Sequence, residues 1–170
     1  MTAAEFESLY QRYSRAVWAT AYARRMEAEV ALDITQEAFC RLWKQAQGGE
    51  AIRHPKAWLL RVARNLAEDE AKSAFRRNGT TGPEHLSQLR ARLASPLDQV
   101  LCNEERARVR HWLNELPAAD REILTLKYAL GHATEEIAES LEISPAAVHM
   151  RLSRARQRLA QYLLEGEEVT

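Results

Sequence analysis

The stretch Glu136-Ile-Ala-Glu-Ser-Leu-Glu-Ile-Ser-Pro-Ala-Ala-Val-His-Met-Arg-Leu-Ser-Arg-Ala-Arg156 decides the fold. A short apolar-periodic segment ends at Leu141, Glu142-Ile143-Ser144 interrupts it, and Pro145 opens a longer one. Ser is a strong N-cap and Pro suits the first helical position. A short helix, a three-residue turn and a longer helix make a helix-turn-helix pattern. Ile137, Ala138, Leu141, Ile143, Val148 and Leu152 are its predicted core. Val148, Leu152, Ala155 and Leu159, spaced i, i+4, i+7, i+11, keep the long helix packed.

Removing that stripe leaves His149, Met150, Arg151, Ser153, Arg154, Arg156 and Arg158. From Ser144 to Glu165 four Arg face one Glu, a local +3, on a chain whose 24 basic and 24 acidic residues cancel. Charge gathered on such a helix is the footprint of phosphate binding. A merely solvated Arg face is the bland alternative, and the helix-turn-helix ahead of it argues against that. The preceding segment carries Glu135, Glu136, Glu139 and Glu142. DNA would repel these acids, so their face must point away from phosphate or toward a basic protein surface.

Working outward, an all-α chain emerges. Gly48, Gly49, Gly79, Gly82, Gly131 and Gly166 fall between apolar-periodic segments, and Pro55, Pro117 and Pro145 fall where segments begin. No stretch alternates apolar and polar for long. Phe6, Tyr10, Tyr13, Val17 and Ala21 mark one helix over about 3–26. Thr35, Ala38, Phe39, Leu42, Trp43 and Ala46 mark a second. Leu59, Val62, Ala63, Leu66 and Glu70 mark a third from Pro55. Helices are also expected at about 100–115, 117–130, 134–141 and 145–164. Two small helical domains result: an N-terminal bundle over 1–76 and a helix-turn-helix domain over 100–165. A linker over 77–99 joins them, and a short tail follows over 166–170. A surface loop within one domain is the alternative for 77–99, although so long a structureless loop is uncommon.

At 170 residues and 46% hydrophobic content the chain has enough apolar surface for a core, though each half alone has a thin one. No run of 18 apolar residues occurs, so no membrane insertion is expected. The N-terminus has early acids and no apolar h-region, unlike a secretory signal. Cys40 and Cys102 are far apart without a CxxC, which points to buried or inert thiols rather than a disulfide or zinc site. No Ser/His/Asp set, phosphate loop or metal spacing appears. The reading is a cytoplasmic non-enzyme with no metal and no cofactor.

Three segments carry a resemblance: Leu116-Pro-Ala-Ala-Asp-Arg-Glu-Ile-Leu124, Glu136 to Ser144, and Val148 to Arg156. They resemble region 4 of bacterial extracytoplasmic-function (ECF) sigma factors, a branch of the sigma-70 family. Upstream, Asp33-Ile-Thr-Gln-Glu-Ala-Phe-Cys-Arg-Leu-Trp43 and Pro55 to Asp69 resemble region 2 of the same family. Both blocks stand in family order, and together they cover about residues 5–76 and 100–164.

The resemblance implies a dissociable promoter-specificity subunit of bacterial RNA polymerase. Region 2 would dock on the polymerase clamp and capture the melted −10 element; region 4 would dock on the flap and read the −35 element. Asp33, Gln36, Glu37 and Arg41 are the candidate clamp contacts, while Phe39 and Trp43 are assigned to the core. Arg61, Arg64, Asn65 and Asp69 are the candidates for the −10 strand. Asn65 and Asp69 are i, i+4 and offer both donor and acceptor to base edges. The loop Gln45–Arg53 aligns with the segment that receives a flipped base. The recognition-helix set from His149 to Arg158 would read the −35 element. Core polymerase, promoter DNA and an anti-sigma factor are the implied partners. A stand-alone helix-turn-helix regulator and a helical protein-binding adaptor are the alternatives.

The chain departs from the family in places. The segment after Asp69 is less basic than usual; residues 1–75 hold eleven Lys/Arg and ten Asp/Glu, a net of +1. Ala133 stands where a capping Ser is usual, which shifts the expected cap to Thr134. Met150 replaces a small polar residue.

Overall fold

The structure is a computed structural model, and it describes residues 1–49, 51–78 and 111–167, with side chains omitted at 76–78 and 165–167. The elements among the described residues are helical and follow one another along the chain. They are α1 (Ala3–Arg25), α2 (Ala28–Gln47), α3 (Pro55–Asn78), α4 (Ala118–Leu124), a π-helical turn (Thr125–Ala129), α5 (Thr134–Leu141) and α6 (Pro145–Glu167). Residues 111–115 are also helical. The expected linker over 77–99 lies outside the described residues except 77 and 78, which continue α3.

α1, α2 and α3 pack pairwise as a bundle. A capping box opens α1: Thr2 Oγ1 accepts from Glu5 N–H and Glu5 accepts from Thr2 N–H. Met26, at φ 55°, ends it in the left-handed region. α2 buries Ala31, Ile34, Thr35, Ala38, Phe39 and Leu42, one helical stripe. Ala21, Ala31, Ala38, Ala63 and Ala67 are fully buried where the helices meet, small enough for close approach. Phe6 and Tyr10 meet Phe39 edge-on, and Phe39 is a core group as expected; Trp43 is half-buried, packed edge-on against Phe6 at 5.2 Å outside the buried core.

In the second half, α4 and α5 pack on α6. The π-helical turn closes with Leu130 N–H donating to Thr125 O, and Gly131 at φ +67° then reverses the chain. Two expectations change at helix ends. Ala133 itself holds the N-cap of α5, and Glu136 reaches back to accept its N–H at 2.9 Å, so Thr134 is not the cap. α6 runs through Gly166 to Glu167, into the stretch read as a tail.

The two halves share one continuous core, which joins Val17, Phe39 and Leu59 to Leu116, Ile123, Ile137 and Val148. α1 packs on α4 and α3 packs on α5. Docking on each other is how two thin cores become one adequate core. Arg121 fastens the junction. Its guanidinium donates to the carbonyls of Ala23 and Arg24 in the last turn of α1, at 2.6 and 3.2 Å, and also to those of Asn114 and Leu116. These α1 carbonyls are the open, negative end of that helix.

Candidate nucleic-acid and polymerase interfaces

α6 presents the first candidate face. Ser144 Oγ accepts from Ala147 N–H at 3.1 Å and fixes the helix start. Val148, Leu152 and Ala155 are buried as the stripe requires. His149, Met150, Arg151 and Arg154 are exposed, and Ser153 is half-buried. Met150 is 56% exposed, high for a large apolar side chain on a helix start. Farther along, the cations have protein partners. Arg156 approaches the Tyr128 hydroxyl at 3.4 Å, and Arg158 is ion-paired with the mostly buried Asp120 of α4. The seven recognition-helix residues therefore divide. The N-terminal five stand together, and Arg158 ties the helix to its own domain.

α2 presents the second. Asp33, Gln36, Glu37 and Arg41 are all exposed on one face, opposite the buried stripe. Arg41 Nε pairs with Glu37 at 2.8 Å, which holds the Glu37 carboxyl below the usual carboxylate range. Leu32, 47% exposed, stands on the same face and was missed in the sequence. Periodicity gave no warning of this, because Leu32 stands i+3, i+7 and i+11 from Thr35, Phe39 and Trp43 and so reads as part of the buried stripe. Cys40 is also exposed there, not buried.

α3 presents the third. Asn65 and Asp69 are exposed, and Asp69 lies 4.0 Å from Lys72. Arg61 and Arg64 are not free: Arg61 pairs with Glu142 at 2.5 Å, and Arg64 donates to the Ser140 carbonyl at 3.2 Å. Beside them, a cleft of about 420 Å³ is lined by Gln45, Ala51, Ile52, Arg53, His54, Ala57, Trp58 and Arg61, with Glu139 and Glu142 from the other half. It adjoins the loop Gln45–Arg53 singled out for a flipped base. His54 and Lys56, at the start of α3, were not among the expected residues. They pair with Glu139 at 3.3 Å and Glu136 at 2.7 Å. The acidic face of α5 thus meets a basic surface, and that surface belongs to the same chain.

No group of three or more His, Cys, Asp and Glu suited to a metal occurs among the described residues. None of their helices is long and apolar enough to cross a membrane.

Residues 9–79 match the family Sigma-70 region 2, and residues 106–159 match Sigma-70, region 4. The ECF RNA polymerase sigma factor SigL of Mycobacterium tuberculosis is 31% identical over 166 residues, covering 96% of this chain and 91% of that protein. The chain belongs to the ECF sigma factors of the sigma-70 family. The probable RNA polymerase sigma factor RfaY of Xanthomonas campestris is 35% identical over 164 residues, 91% of this sigma factor but only 41% of that longer protein. In fold, the chain resembles the sigma factor RpoE of Bartonella quintana, solved with the anti-sigma factor NepR, at TM-score 0.66 and 21% identity, covering 94% and 96% of the two chains. This sigma factor therefore confers promoter specificity on RNA polymerase, and the three faces of α2, α3 and α6 lie in the matched regions.

Proposed function

We propose a division of labour among those faces. His149, Met150, Arg151, Ser153 and Arg154 enter the major groove of the −35 element, because the N-terminal half of a recognition helix reaches base edges. Arg156 contacts backbone phosphate nearby, and Arg158 holds the helix against α4. Asn65 and Asp69 meet the bases of the melted −10 strand, Arg61 and Arg64 meet its phosphates, and the cleft beside Trp58 takes an extruded base. Asp33, Gln36, Glu37 and Arg41 dock on the polymerase clamp. The observation that carries this reading is the exposed face of His149, Met150, Arg151 and Arg154 on a Ser144-capped helix, next to the buried Val148, Leu152 and Ala155. The work is recruitment and melting rather than covalent chemistry, and it takes place in the cytoplasm with the polymerase. An anti-sigma factor is a further partner, in keeping with the RpoE–NepR complex of similar fold.

Net charge sets the test. A chain of net zero, with +3 between Ser144 and Glu165, neutralises few phosphates. The free protein is expected to bind duplex promoter DNA at about micromolar affinity or weaker, as non-specific binders do. Core polymerase, by fixing both halves, makes the second contact intramolecular. A gel-shift titration with and without core enzyme should show sequence-specific binding only with it. Tight operator-like binding by the free chain, around 10⁻⁸ M, would mark a stand-alone regulator instead.

A further inference from the structure

α5 and its cap place four carboxylates beside a DNA-reading helix that needs the opposite charge. Three of them have basic partners, all from the first half. Lys56 lies 2.7 Å from Glu136, and His54 lies 3.3 Å from Glu139. Arg61 lies 2.5 Å from Glu142, which Arg64 approaches to 3.9 Å. Arg61 and Arg64 are the cations assigned above to the strand phosphates. Glu139 and Glu142 also line the cleft assigned to an extruded base. A guanidinium fork binds carboxylate and phosphate oxygens by the same geometry. One anion-binding surface on α3 is therefore already filled by anions from region 4.

We propose that the acidic face of α5 is an internal competitor for the −10 strand: in the free sigma factor it occupies the strand-binding cations of α3, and capture of melted DNA requires the two halves to part. This rests on the strand-binding role given to α3. The energetics suit a reversible block. The side chains in these pairs are 14–71% exposed, so each pair is individually weak. Their sum, with the docking of α4 on α1, keeps the competent open fraction small, and apparent strand affinity falls by that fraction. Polymerase contacts that hold the halves apart relieve the block without altering α3.

The test uses the full chain and a labelled single-stranded oligonucleotide carrying a −10 sequence this sigma factor directs, with a scrambled strand beside it. Glu136→Gln/Glu139→Gln/Glu142→Gln removes the competing charge. Glu136→Gln keeps a side-chain oxygen that can accept the Ala133 N–H, and Glu142→Gln adds no bulk at a position of φ 55°. A control variant, Glu7→Gln/Glu29→Gln/Glu115→Gln, removes the same charge from exposed sites elsewhere. By fluorescence anisotropy, the α5 variant is expected to bind the strand about tenfold more tightly than wild type, and the control within about twofold. With core polymerase bound, all three chains are expected to bind the strand equally. Equal binding by the free wild type and α5 variant, or an equal gain in the control, overturns the proposal while leaving the strand-binding reading intact if the core-bound forms still prefer the −10 sequence. If no form prefers it over the scrambled strand, both fall together. Circular dichroism melts of the variants show whether folding is preserved.

Discussion

Arg24, at the end of α1, and Glu122, in α4, form an ion pair of 2.5 Å across 98 residues of sequence, with side chains only 13% and 4% exposed. The other arm of Arg24 holds Glu68 of α3 at 2.7 Å. One guanidinium thus links three helices from both halves. Burial pushes the Glu122 carboxyl above the usual carboxylate range, and Arg24 pulls against that. Arg24→Ala leaves the carboxylate buried without its partner, at an expected cost of about 3 kcal/mol in urea unfolding. Adding Glu122→Gln to that variant is expected to recover part of the loss, because the stranded charge is gone. Strictly additive costs in the double-mutant cycle would show that the two residues are not coupled.

On α6, Arg151 and Arg158 are expected to behave differently. Arg151→Ala should cost about 1–3 kcal/mol on the preferred −35 sequence, as loss of a bidentate base contact does, and much less on scrambled DNA. Arg158→Ala should spare sequence preference and instead lower stability by about 1 kcal/mol through loss of the Asp120 pair. Holoenzyme binding to matched and scrambled promoters, with thermal melts of the free chain, separates the two roles. Equal loss on both DNAs would reduce Arg151 to a phosphate contact.

The helix-turn-helix was legible because its signals are local: Ser144 and Pro145 fix one helix start, and Val148, Leu152 and Ala155 repeat at the helical period. The α2 face was legible for the same reason, since Asp33, Gln36, Glu37 and Arg41 are what its buried stripe leaves out. The docking of the halves was not. Arg24–Glu122, Lys56–Glu136 and Arg61–Glu142 join residues 80 or more apart, and no periodicity links them. The acids of α5 gave half the clue, that they needed a basic surface, without naming α3. The cap at Ala133 was missed because Glu136 supplies from the helix interior what the cap side chain lacks.

Asn65→Ala and Asp69→Ala should reduce open-complex formation while leaving core-polymerase binding unchanged. Both residues are exposed on α3, a different helix from the one that carries Asp33, Gln36, Glu37 and Arg41. Permanganate footprinting of melted promoter DNA reads the first effect, and co-elution with core enzyme reads the second. Loss of core binding as the main defect would contradict the separation of these faces.

His132 is buried, and its Nδ1 has no hydrogen-bond partner among the described residues. Burial first, then the nearby Lys56 charge, hold its pKa below the ordinary 6.5, with Glu136 opposing. The unfolded chain therefore takes up a proton more readily than the folded one. The stability that neutral His132 permits is complete above about pH 6.5 and is lost as pH falls from there through the depressed folded pKa. Urea midpoints measured from pH 8 to pH 5.5 should fall in wild type and stay flatter in His132→Gln. Parallel curves would assign the acid sensitivity to other groups.

Run-off transcription with core RNA polymerase and a library of genomic promoters tests the central claim most directly. With this sigma factor added, initiation is expected from a small set of promoters sharing −10 and −35 elements, and Arg151→Ala should weaken that selection. Failure to bind core enzyme, or binding that directs no initiation from any promoter in the library, would contradict its role as a promoter-specificity subunit.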